Sequence, residues 1–173
     1  RLEELDAEIS KIQQELKGMQ TADSSYYESN ILYLLDLRIE EERCRMLLED
    51  ESLADIFKNG ENNYMADVVH KLSLLRASEE TANEYPEAAD ICRERTGEQD
   101  IGESLRQYEE LFASHDFSAY IALQKESIQN NPYLSDREKA AETEAIDLYL
   151  KADPNGENMG YALPNAISAV KSG

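Results

Sequence analysis

Tryptophan is absent from the chain, histidine and cysteine occur twice each, and seven glycines and four prolines are all the helix breakers that 173 residues contain. So few breakers exclude a fold of many short strands and tight turns, and favour long helices. Cations are scarce too: 17 Lys and Arg stand against 37 Asp and Glu, a formal net charge of −20. That excess excludes nucleic acid and anionic lipid headgroups as direct partners. No apolar run is long enough to span a bilayer. The longest uncharged stretch, Asn158–Val170, has 13 residues and is broken by Gly160 and Pro164, against the roughly 20 apolar residues a span requires.

The chemical motifs are equally sparse. His70 and His115 cannot build a HExxH zinc site, and neither a glycine-rich phosphate loop nor a GxSxG elbow occurs. Asp153, Asn155, Glu157 and Asn158 cluster as a calcium loop would, but the acidic residue an EF-hand needs at loop position 12 is missing, so a turn is expected. Cys44 and Cys92 lie 48 residues apart, which fits neither a zinc knuckle nor a CxxC pair. A disulfide would require the fold to bring them together, and two buried free thiols on helix faces are the simpler expectation. No catalytic, cofactor or metal residues are assigned.

What the sequence does hold is helical periodicity. Hydrophobic residues make up 41% of the chain, enough for a core. Ten tyrosines to three phenylalanines suit thin, half-exposed helix packing. Leu2, Leu5, Ile9, Ile12, Leu16 and Met19 alternate spacings of three and four, a heptad seam. Tyr26–Glu49 reads as a second helix carrying Ile31, Leu34, Leu35 and Ile39. The short loop between the two predicts an antiparallel hairpin in which the seam is satisfied within the chain. Further helices are predicted around Leu53–Phe57 (stopped at Asn59-Gly60), from Tyr64 to about Tyr85, from Pro86 through Cys92 to Gly97, and over Ile101–Ser114. Asp116 is placed to N-cap a helix ending at Asn130-Asn131-Pro132, and Ser135 with Glu138 forms a capping-box pattern opening another. Pro164–Val170 has room for two more turns. The chain reads as one all-α domain over 1–173, a helical bundle with a hairpin at 1–58 and smaller helices at 59–173 packed on it.

Charge is uneven along the chain. The runs Glu40-Glu41-Glu42 and Glu49-Asp50-Glu51 read as solvated helix faces. Between Glu79 and Glu103, nine acidic residues meet only Arg93 and Arg95, a local net of 2 − 9 = −7. Glu79, Glu80, Glu84, Glu87, Asp90, Glu94 and Glu98 from this stretch are the candidate contacts for a cationic peptide, the alternative being a solvated face.

Several segments resemble a known family. Asp116-Phe117, then Tyr120-Ile121 and Gln124, then Leu134-Ser135-Asp136-Arg137-Glu138-Lys139, together with the heptad run Leu2–Met19 and the helix around Tyr27–Glu40, are similar to the large extracytoplasmic insertion between the first two transmembrane helices of ABC-2-type transporter permeases from Firmicutes. The similarity lies in helix order over most of the chain and does not extend to residues 59–97. The family usually has Trp where Phe117 stands. The resemblance implies a non-catalytic domain at the extracytoplasmic face of a bacterial plasma membrane. Its partners would be the transmembrane segments of its own parent chain and a separate ATP-binding subunit, and its role would be substrate or partner contact in export or resistance. The opening at Arg1 and the ending at Lys171-Ser172-Gly173 accordingly read as the ends of an excised piece, expected to meet on one side of the domain. The alternative from the residues alone is a cytosolic adaptor that dimerises through the heptad helix.

Overall fold

The computed structural model describes residues 1–18, 25–58 and 63–157. Among these residues the chain is all-α, with eight α-helices and no strand: α1 (Leu2–Lys17), α2 (Ser25–Glu49), α3 (Ser52–Lys58), α4 (Tyr64–Glu84), α5 (Ala89–Thr96, preceded by a 3-10 turn at Pro86–Ala88), α6 (Ile101–Ser114), α7 (Phe117–Gln129) and α8 (Asp136–Ala152). No helix among the described residues is long and apolar enough to cross a membrane. The expectations for Met19, the Asn59-Gly60 stop, Asn158, the Pro164–Val170 helix and the meeting of the chain ends fall outside the described residues.

Two compact units divide the chain, the first formed by 1–51 and 69–110, the second by 52–68 and 111–173. Of the three divisions, one falls between α2 and α3 and the other two inside α4 and α6. In the first unit the heptad seam of α1 (Leu5, Ile9, Ile12, Leu16) is buried and packs against α2, where Tyr27, Ile31, Leu34, Leu35 and Leu37 are buried and Ile39 partly so. Ala77, Ala88 and Cys92 complete this core. The α1 seam is thus covered within the chain, as its short connection to α2 predicts. α5 ends at Gly97, whose φ of +71° is left-handed, with its amide bonded back to the Arg93 carbonyl at 2.9 Å.

The second unit is organised by its caps and an aromatic cluster. Asp116 accepts from the Ala119 amide at 3.1 Å and caps α7. Ser135 and Glu138 form the reciprocal capping box of α8. Tyr64, Phe117 and Tyr120 gather with ring centroids 4.8, 5.4 and 6.3 Å apart. The Tyr64 hydroxyl donates to the His115 carbonyl at 2.5 Å, and its backbone amide donates to the Gly156 carbonyl at 2.9 Å. Gly156 sits at φ +66°, and a Cβ there would lie 2.5 Å from the Phe117 ring. Gly156→Ala is therefore expected to cost about 2–4 kcal/mol, the left-handed penalty adding to the displaced ring. Urea denaturation checks this against Gly102→Ala, whose Cβ would meet nothing closer than 3.5 Å and which is expected to be neutral or stabilising.

Candidate functional site

Polar residues continue the buried stripe of α2 beyond Leu35. From Tyr27 through Ile31 and Leu34, the alternating four- and three-residue spacing leads to Arg38 and Glu41, all buried. Glu42 is buried beside them. Opposite, α4 contributes Ser73, Ala77, Ser78 and Thr81, each wholly buried. Their small side chains leave room for a guanidinium. Thr81 donates its hydroxyl to the Ala77 carbonyl at 2.8 Å and accepts from Arg38 at 3.0 Å. Arg38 also donates to Glu84 at 2.5 Å, and Gln13 of α1 reaches the same carboxylate at 2.8 Å. Those hydrogen bonds outweigh burial and hold Glu84 below the usual carboxylate range.

The network continues along the same helices. Arg45 lies 2.9 Å from Glu41 and 3.3 Å from Glu42, and Arg76 of α4 approaches Glu42 at 3.5 Å. Arg76 is held in a fork by Glu109 of α6, at 2.7 and 2.8 Å. The run Glu40-Glu41-Glu42 is therefore not a solvated face: Glu41 and Glu42 point inward, while Glu40, half-buried, pairs with Arg1 at 2.9 Å. The structure thereby corrects the reading of this charge run. The stripe spacing on α2 carries the signal, which the acidic identity of the residues conceals.

The seven candidate peptide contacts all belong to the first unit but do not share one environment. Glu84 is engaged inward by Arg38. Glu80 faces Glu42. Asp90 pairs with Arg93 one turn along α5. Glu79 is half-buried. Glu87 and Glu94 are exposed, and Glu98, just past the end of α5, is half-buried. The negative charge of Glu87 adds to burial in pushing the Tyr27 hydroxyl up to about 12.

The remaining candidates resolve into structure. His70 is exposed, and His115 occupies a left-handed turn at φ 54°. Asp153 accepts from the Tyr149 hydroxyl and the Glu157 amide, both at 3.1 Å, which makes 153–157 a turn closed on its own backbone. Cys44 and Cys92 are both free thiols, Cys44 half-buried and Cys92 buried, and burial raises the Cys92 thiol above its ordinary value. Among the described residues no group of three or more His, Cys, Asp or Glu could hold a metal ion. A shallow cavity in the second unit borders Gln124, Asn131 and Glu142, and neither histidine nor cysteine lines it.

The chain matches no protein-family model, no curated protein and no solved structure.

Proposed function

We propose that the chain is a non-catalytic, all-helical extracytoplasmic domain of an ABC-2-type transporter permease, making substrate or partner contact in export or resistance. ATP hydrolysis would then belong to a separate ATP-binding subunit, and the transmembrane segments to the same parent chain. The observation that carries this reading is the covered seam of α1. Leu5, Ile9, Ile12 and Leu16 are buried against α2, so these four residues of the seam offer no apolar face to a second copy, which supports this reading over a dimerising adaptor. Supporting it, the residues of the family resemblance act as caps and packing groups: Asp116 and Ser135 cap α7 and α8, while Phe117 and Tyr120 join the aromatic cluster. Apolar segments of about 20 residues encoded directly before Arg1 and after Gly173 are expected in the parent gene. Their absence would overturn the assignment.

The contact surface we assign to this role is the acidic stretch of the first unit. Exposed ion pairs contribute only about 0–1 kcal/mol each, so a Lys-rich antimicrobial peptide is expected to bind weakly and to be released as salt rises from low to physiological ionic strength. Calorimetric titration at both ionic strengths measures this. Reversal of Glu87, Glu94 and Glu98 to Lys is expected to abolish the binding, whereas Glu84 must be kept because Arg38 depends on it. Binding that survives both salt and reversal would place recognition on another surface.

A further inference from the structure

Neither the packing of the first unit nor a peptide-contact role uses the inward-facing acids of α2. The Glu41 side chain is 7% exposed. One of its oxygens, Oε1, faces Arg45 at 2.9 Å, while Oε2 is buried without a hydrogen-bond partner. The carboxyl group facing Glu41 from α1 is Asp6, another acid. One residue along, Glu42 lies between Arg45 and Arg76 and faces a third acid, Glu80 of α4.

Carboxyls outnumber the guanidiniums paired with them here. From α2 come the guanidiniums of Arg38 and Arg45, and from α4 that of Arg76. Against these three stand six carboxyls: Asp6 of α1, Glu41 and Glu42 of α2, Glu80 and Glu84 of α4, and Glu109 of α6. Glu49 adds its field at Arg76, and Tyr85 and the Cys92 thiol lie near Arg38. Asp6, Glu80 and Glu84 reach solvent, but Glu41 and Glu42 are buried. An uncompensated charge is therefore costly at the two α2 acids, and most of all at Glu41, whose Oε2 has no hydrogen-bond partner. A metal ion does not suit the site, because Arg45 already occupies one face of Glu41 and, among the described residues, no group of three metal-ligating side chains converges there. A proton does suit it, since a protonated carboxyl donates to its acidic neighbour and turns repulsion into a hydrogen bond.

We propose that the α1–α2–α4 core is a proton-held latch, in which Glu41 and Glu80 fold in their protonated forms, bonded to Asp6 and Glu42, and the first unit loosens when these protons leave. Burial first, and Asp6 second, push Glu41 up to about 7. Burial and the neighbouring Glu42 raise Glu80 as well, although its residue is exposed over more than a third of its surface and solvent damps its share. Glu41 therefore leads. The sign follows from proton counting. In the unfolded chain both groups ionise near 4.5, and in the fold they hold their protons to higher pH. Their contribution is fully present below that unfolded value and is lost as pH rises through the folded values, so stability falls across about pH 5 to 8. Glu84 and Glu40 act oppositely, but only below the ordinary carboxylate range.

Two measurements on the full chain test the latch. Carbon-detected carboxyl titration by NMR is expected to give Glu41 a midpoint near pH 7 and Glu80 one above the ordinary carboxylate range. The urea midpoint is expected to fall between pH 5 and pH 8.5, and to stay nearly level in Glu41→Gln/Glu80→Gln, where the amides cannot lose the proton. Glu144→Gln, at an exposed position of α8, controls for net charge and should keep the wild-type slope. A Glu41 midpoint in the ordinary carboxylate range would overturn the proposal. So would equal slopes in the wild type and the double variant. Should the double variant fail to fold, the wild-type titration decides alone.

Discussion

Ile12→Ala is expected to lower the unfolding free energy by about 2–5 kcal/mol, read from urea denaturation with the slope unchanged. Ile12 is 6% exposed and lies mid-seam between Ile9 and Leu16, all within one core with Ile31, Leu34 and Leu35 of α2. Truncation leaves a cavity that a helix anchored on both sides closes only in part, and so the loss should exceed the transfer value of the missing carbons. Leu48→Ala supplies the contrast. At 73% exposed, Leu48 should change stability by no more than about 0.5 kcal/mol. An Ile12 loss as small as that would mean that α1 is not docked on α2.

The second large effect is at Arg38. Its side chain is 8% exposed and links α2 to both Thr81 and Glu84. Removing one member of a buried pair costs about 3–5 kcal/mol, because the other charge is stranded. Glu84 is 36% exposed and keeps its bond from Gln13, so Arg38→Leu is expected at the low end, about 3 kcal/mol. Replacing both partners, as Arg38→Met with Glu84→Met, should recover most of that loss, since neither charge is then left alone. A double variant as unstable as the single would show that Arg38 acts through packing and not through its charge.

Local chemistry made most of the fold legible. The heptad seam, the Asp116 cap, the Ser135/Glu138 box and the left-handed Gly97 each depend on residues a few positions apart, and each stands where its pattern places it. The inward acids were hidden for a different reason. Arg76 reaches Glu42 across 34 positions and Glu109 across 33, and Arg38 reaches Thr81 across 43. Short-range periodicity can mark Glu41 and Glu42 as lying on the core stripe, and Arg45 stands one turn along the same helix, but the second cation on Glu42, Arg76, comes from α4. The division into two units was hidden too. Two of its three crossings run through the unbroken helices α4 and α6, where no glycine, proline or change of composition announces them.

Sedimentation velocity over a wide concentration range, paired with far-ultraviolet circular dichroism, tests the central claim that the apolar seam of α1 is completed within the chain. The expected result is one monomeric species with undiminished helicity down to the lowest concentration. A concentration-dependent dimer that loses helicity on dilution would contradict it, because the seam would then be closed by a second copy.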